Sequence, residues 1–322
     1  MKKKNLIKQY FIILLPVLSV TAAIIIALLL PDSRRHQTAA HPYFAFLLTG
    51  ILIAYITAVI IGIFKKAQLK KITDKAPLLA AAVLFFNILN IVTVKTALLP
   101  VLYFPSLDRV IGALFEDRSL IIKCVLYSSR ILITGVIGGA AAGFFMGVGI
   151  GFSKKISYWI SPIIRILGPI PSTAWIPIVL IVFPTALSAS AFIIGIAVWF
   201  PVTVLTSSGV SNVEKSYFEV SSTLGAKSIT QIFKVGVPAA MPSIFQGLFN
   251  GICASFITLM TAEMIGAKYG IGWYVNWQKD MMVYSNVYAG LVVIAVLFYL
   301  IITVMFKLRD RVLVWQKGVI KW

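Results

Sequence analysis

Charge is scarce in this chain, and acidic charge most of all: Asp and Glu together number 10 in 322 residues, and histidines 2. Charged residues make up 12%, against about a quarter in an average soluble domain. So little charge cannot cover a surface in water. So few carboxylates and imidazoles also leave little material for general acid–base chemistry. Cysteine is as rare: Cys124 and Cys253 each fall in an apolar stretch, without disulfide-framework or metal-ligand spacing. His36 and His41 share one short polar loop with no acidic cluster beside it, so no metal site is expected. Paired intramembrane carboxylates, a histidine–metal cluster and a Ser/His constellation are all missing. No catalytic residue is assigned.

What the chain has is hydrocarbon. Apolar residues make up 60% and the mean hydropathy is +0.96. The expected fold is an all-α integral membrane protein, since about 20 mostly apolar residues carry a helix across a bilayer. Eight segments qualify, at roughly 10–30, 43–64, 77–99, 121–152, 159–183, 187–208, 243–266 and 286–306. The 29 Lys and Arg leave a net charge of +19. In a soluble protein that excess would suggest nucleic acid. Here it sorts by side, so no nucleic-acid partner is expected. With the N-terminus inside, nineteen basic residues fall on the cytoplasmic side and six outside: Arg34, Arg35, Arg109, Arg118, Lys268 and Lys279. The cytoplasmic set includes Lys65, Lys66, Lys70, Lys71 and Lys75, placed in a loop. The positive-inside rule then puts both termini in the cytoplasm. The run from Tyr10 to Leu30 follows a basic start, as in a signal peptide, but is long enough to span and lacks a small-x-small cleavage site. It reads as a retained helix.

Three spans are unusual. In the fourth, Gly135, Gly139, Gly143, Gly147 and Gly151 recur every fourth residue and share a helix face, which lets another backbone approach. In the fifth, Pro162, Pro169, Pro171 and Pro177 surround Gly168 and Trp175. Freed carbonyls in a membrane must be met by neighbouring helices or by water in a cavity. The stretch holding Ser172, Thr173 and Trp175 is therefore read as irregular backbone beside a pathway, with a structural kink as the alternative. In the seventh, Gln246, Asn250, Thr258 and Thr261 cover about a third of the circumference, a stripe that faces protein or water. Glu263 is the one acidic residue placed inside a span and joins the pathway candidates. Arg130 and Arg165 could attract an anion or contact lipid phosphate.

Between the sixth and seventh spans, residues 211–242 read as an amphipathic helix, a glycine turn at Gly225, a second short helix and a proline-bounded start to the next span. Such a helix–turn–helix is built to dock, on lipid headgroups or on a partner protein. Glu219, the triplet Leu224-Gly225-Ala226, and Pro238-Ala239-Ala240-Met241-Pro242 together resemble the cytoplasmic signature loop of binding-protein-dependent ABC importer permeases. Glu219-Val220-Ser221 departs from that family's usual Glu-Ala-Ala. Leu167-Gly168-Pro169-Ile170-Pro171, Ala174-Trp175-Ile176-Pro177, Ala262-Glu263-Met264-Ile265-Gly266-Ala267, Gly270-Ile271-Gly272 and the terminal Trp322 are similar to the nitrate/sulfonate/taurine-type subgroup. Phe183-Pro184-Thr185 stands where that subgroup has a glycine-containing turn. The resemblance covers about residues 77–322.

The resemblance implies a type I importer-like core over 76–322, preceded by a two-helix membrane extension over 1–75. It implies a permease subunit, not an enzyme, of a prokaryotic cytoplasmic membrane. The chain would be a homodimer that carries ABC ATPase subunits on its cytoplasmic face and receives a small solute from an extracytoplasmic binding protein. An oxoanion or sulfonate is the expected solute, with a pyrimidine or vitamin precursor as the alternative. The chain lacks a Gly-x-x-x-x-Gly-Lys-Ser/Thr phosphate loop, so ATP and Mg would be bound by the partner and no cofactor by this chain. Glu219, Thr223, Leu224, Gly225, Ala226 and Lys227 would carry coupling to the ATPase, with Glu219 anchoring the helix and Gly225 permitting the turn. A secondary transporter would be expected to show more intramembrane carboxylates or an inverted repeat.

Overall fold

Long apolar helices follow one another along the whole described chain. A computed structural model describes residues 2–33 and 41–315; Arg34, Arg35, His36, Lys317, Lys321 and Trp322 lie outside the described residues. The helices are α1 (Lys2–Leu29), α2 (Tyr43–Phe64), α3 (Lys66–Asn90, prolonged by a π-helical turn Ile91–Lys95), α4 (Leu107–Glu116), α5 (Arg118–Phe152), α6 (Lys154–Leu167), α7 (Ile176–Val182), α8 (Ala186–Ser211), α9 (Lys215–Thr223), α10 (Ser228–Gln231), α11 (Val237–Gly266), α12 (Ile271–Asp280) and α13 (Tyr284–Val312). Among the described residues seven helical runs are long and apolar enough to cross a membrane, and up to eight if α6 and the segment Ser172–Val182, bent by 84° at their junction, count as one span. The protein is an all-helical membrane bundle.

Two expected boundaries shift. Lys66, Lys70, Lys71 and Lys75, expected in a loop, belong to α3, which begins one residue after α2 ends. Only Lys65, with φ −126° and ψ 89°, breaks the path; Lys, Gln, Ala and Leu are good helix formers, so the chain turns and resumes at once. The segment expected at 159–183 starts earlier, at Lys154, and is interrupted at its prolines as expected. Gly168 keeps helical backbone (φ −59°, ψ −43°) and bonds the Ile164 carbonyl, but Pro169 and Pro171 have no N–H to carry the ladder on; α6 stops at Leu167, and a short 3₁₀ turn Ser172–Trp175 leads into α7.

The chain divides into two compact units, Met1–Arg118 with Gln278–Ala289 and Ser119–Trp277 with Gly290–Trp322. In the first, α1, α2 and α3 pack around Val20, Ala23, Phe44, Leu48 and Val83. Pro16 interrupts the ladder of α1, and the Tyr55 hydroxyl donates to the nearby Ile13 carbonyl at 2.9 Å. Lys95 closes the C-terminus of α1, donating to the carbonyls of Ala27 (3.0 Å) and Leu30 (2.5 Å) and to Asp32 Oδ1 (2.7 Å). Cations are favoured where carbonyls lack partners at a helix end. Asp108, in the first turn of α4, accepts the Phe44 N–H at 2.8 Å and so caps the start of α2.

In the second unit the five glycines of α5 all meet α8. A Cβ added at Gly135 would lie 2.7 Å from the Ala191 carbonyl, at Gly143 2.8 Å from that of Trp199, at Gly147 2.7 Å from that of Thr203, and at Gly151 2.7 Å from that of Ser207. At Gly139 it would strike Gly195. From the other side, Gly247 and Gly251 of α11 approach the Val202 and Val198 backbones, at 3.1 and 3.2 Å from the added Cβ. α8 is gripped between two glycine faces, so its contacts with α5 and α11 are backbone-close, the packing that gives dispersion most scope in lipid.

Candidate functional site: a cavity beside the broken span

The break between α6 and α7 opens onto a cavity of about 600 Å³ whose walls include Ser172, Thr173 and Trp175 from the break, Phe192, Trp199 and Phe200 from α8, and Asn250, Ala254 and Thr258 from α11. Ser172 Oγ and Thr258 Oγ1 are hydrogen-bonded at 2.8 Å; Thr258 is also tied back to the Ala254 carbonyl at 3.0 Å. Five of the expected pathway residues, Ser172, Thr173, Trp175, Asn250 and Thr258, therefore meet in one place. Gln246 lies one turn beyond, its amide donating to Asn250 Oδ1 at 3.2 Å. Thr261 is not among the cavity-lining residues; its hydroxyl bonds the Ile257 carbonyl at 2.9 Å. Gly168 faces Phe200 so closely that no side chain fits there. The walls are aromatic and amide-bearing, and carry no charged side chain.

Glu263 is elsewhere. It is fully buried, away from the cavity walls. Its Oε1 accepts from Ser128 Oγ at 2.6 Å, and Oε2 from the Gly272 N–H at 2.8 Å. Ser128 in turn accepts the Ile271 N–H at 3.0 Å. Sequence reasoning passed over Ser128, since a single serine in a long helix carries no local signal.

The segment 211–242 folds as α9, a turn at Gly225 (φ +79°), α10 and a π-helical turn Ile232–Gly236 leading into α11. The left-handed backbone at Gly225 is one that side chains resist. Phe218, which the sequence did not single out, is the anchor: its ring meets Phe152 edge-on at 5.8 Å and lies beside Gly236. Gln231 Nε2 donates to Ser222 Oγ at 2.6 Å and ties the two short helices together. Glu219, Thr223, Leu224, Gly225 and Lys227 are exposed and Ala226 is partly so. Tyr217, Val220, Leu224 (82% exposed), Ile229 and Phe233 hold apolar surface outward at this one end of the unit. Among the described residues no three His, Cys, Asp or Glu side chains gather as metal ligands do.

A helical membrane bundle with a cavity at a broken span is the architecture of a transport domain. Residues 139–313 match the family described as binding-protein-dependent transport system inner membrane component, and the chain belongs to it. A putative ABC transporter permease protein of Methanocaldococcus jannaschii is 28% identical over 80% of this chain and 97% of its own length. A putative aliphatic sulfonates transport permease protein of Bacillus subtilis is 29% identical over 57% of this chain and 67% of its own. The taurine transport system permease protein of Escherichia coli is 27% identical over 63% and 73%. Among solved structures, an inward-facing form of the MetNI methionine ABC transporter aligns with a TM-score of 0.53 at 18% identity, covering 61% of this chain and 98% of that one. That likeness is one of fold. The chain is an ABC importer permease subunit with the resemblance expected from its nitrate, sulfonate and taurine-type motifs.

Proposed function

We propose that this chain is the solute-conducting subunit of an ATP-driven importer of a prokaryotic cytoplasmic membrane, with both termini inside. It passes a small solute by alternating access, and ATP is hydrolysed on a separate ATPase. The observation that carries the reading is that α11 joins two features. One end leaves the exposed helix–turn–helix, and its middle supplies Asn250 and Thr258 to the cavity. Apolar side chains left exposed on the helix–turn–helix call for a cover, and a cleft on the ATPase meets that need at Leu224 and its neighbours. Closure of a pair of ATPases would move the helix–turn–helix of each protomer of a homodimer. The packing of α11 on α8 would then switch between two arrangements. A binding protein would deliver solute to the opposite face.

The names of the relatives favour a small oxoanion or sulfonate as the solute. A second reading, a pyrimidine or vitamin precursor, is favoured by the cavity walls, where Trp175, Trp199 and Asn250 offer stacking and amide hydrogen bonds without a cation. The test of the driven reading uses sealed vesicles. Purified chain alone, without nucleotide or companion subunits, accumulates nothing against a gradient, whereas the chain with its ATPase, binding protein and ATP does. Uphill accumulation by the chain alone sinks the proposal.

A further inference from the structure

Glu263 is a buried carboxyl group. No salt bridge among the described residues involves it, and it is held by the Ser128 hydroxyl of α5 and the Gly272 amide at the start of α12. Ser128 completes a loop of bonds by accepting the Ile271 N–H. Three helices thus meet at one carboxyl group. A buried polar group left without its hydrogen-bond partners is costly, so this junction resists opening. Room for it is made by Gly270 (φ +132°), where any Cβ would collide with the carboxylate, and by Gly272, where a Cβ would stand 2.9 Å from that of Glu263. The same last turn of α11 is held from other sides. Ala262 packs with Ile176, Val179, Ala189 and Ile193, and a Cβ on Gly266 would lie 2.8 Å from Leu180.

The other end of this helix is built differently. The run Ser228–Gly266 is continuous over 39 residues, roughly 58 Å at the helical rise, and it begins in the exposed helix–turn–helix, held by Phe218 and Gln231. We infer that Glu263 is a positioning residue, the pin about which α11 tilts during transport. A rod pushed at one end and free at the other slides. Held at its far end, it swings, and every point between moves in proportion to its distance from the pin. Thr258 and Asn250 lie 5 and 13 residues from Glu263, roughly 8 and 20 Å along the axis. A push on the helix–turn–helix then reshapes the cavity in a fixed ratio, instead of being lost in the loop 267–270. This inference rests on the reading that an ATPase drives the helix–turn–helix.

The experiment measures distances between spin labels in the reconstituted complex with its ATPase, in a Cys124→Ala, Cys253→Ala background. One pair, at Phe145 and Lys234, reports the driven end of the unit. A second pair, at Lys123 and Lys268, spans the pinned end. With ATP and vanadate the first distance shifts and the second stays fixed. In Glu263→Gln the second distance also shifts or broadens on adding nucleotide, and it does so to a lesser degree in Ser128→Ala. The Ser128→Ala variant removes one strap of the junction and keeps the measurement available should Glu263→Gln fail to fold. A second distance that stays narrow and insensitive to nucleotide in both variants overturns the pin. A first distance that ignores nucleotide in the parent overturns the driven reading itself, and the pin with it.

Discussion

Gly139 of α5 lies against Gly195 of α8 with no room for a methyl group between them: a Cβ on Gly139 would meet the Gly195 carbonyl and lie 2.9 Å from its Cα. One helix turn away in register, Gly135 and Gly143 make the same approach to Ala191 and Trp199. Gly138, the immediate neighbour, has nothing within 4 Å of an added Cβ.

That contrast defines a paired test. Gly139→Ala overpacks the α5–α8 seam and lowers stability by about 1–3 kcal/mol. Gly138→Ala, free of any clash, is neutral or stabilises by up to about 1 kcal/mol through the better helix former. Thermal or denaturant unfolding of both purified variants reads the difference, and equal midpoints would show the seam to be looser than described.

Gly225→Asp separates folding from coupling. The turn holds φ +79° and an added Cβ meets nothing within the chain, so the cost of the left-handed backbone is only about 1–2 kcal/mol. The variant folds and inserts. A carboxylate thrust into the docking surface blocks the ATPase, and uptake falls to background. Normal uptake by a folded Gly225→Asp protein removes the coupling role of the loop.

Across the cavity, Ser172 and Thr258 share a hydrogen bond of 2.8 Å. A double-mutant cycle with Ser172→Ala and Thr258→Val gives a coupling of about 0.5–1.5 kcal/mol in unfolding free energy. Additive effects would mean that the two walls do not hold one another.

Asn250→Arg distinguishes the two solutes. A guanidinium added to an uncharged, partly desolvated wall attracts an oxoanion and obstructs a neutral heterocycle. Uptake of labelled nitrate or taurine is kept or raised in the variant if an anion passes here, and uptake of a labelled neutral pyrimidine is lowered if a heterocycle does. An unchanged rate for whichever solute the parent carries would place the route away from Asn250.

Asp108 sets a pH dependence outside the spans. Burial pushes its carboxyl above the ordinary carboxylate range, overcoming the opposing pull of the Phe44 N–H and of Lys95; Asp32 adds to the rise. The folded chain therefore keeps this proton at pH values where the unfolded chain has released it. The stability it contributes is complete below the unfolded pKa and is lost as pH rises through the folded one. Asp108→Asn keeps an acceptor for Phe44 without that loss. Its melting midpoint gains on the parent between acid and neutral pH, and the two curves meet at the acid end. A parent advantage that grows with pH contradicts the sign.

Much of this was legible in the amino-acid order. Apolar runs of spanning length matched the number of candidate spans to within the one broken by Pro169 and Pro171, and the four-residue glycine spacing marked the seam of α5. The Gly225 turn between two short helices was readable because few residues tolerate its backbone. Those are local properties, decided by neighbours in the chain.

What lies across from each stripe is a different matter, decided only when distant segments pack. No spacing tells that the α5 glycines meet α8, that Ser172 reaches Thr258 across 86 positions, or that Phe218 and not Glu219 roots the helix–turn–helix in the bundle. Glu263 shows the limit most clearly. In sequence it is a lone carboxylate in a polar stripe and reads as a pathway group. In three dimensions Ser128, 135 positions away, and the Gly272 amide at a helix start both donate to it, because a buried carboxyl group is stable only where donors converge on it, and convergence belongs to the fold.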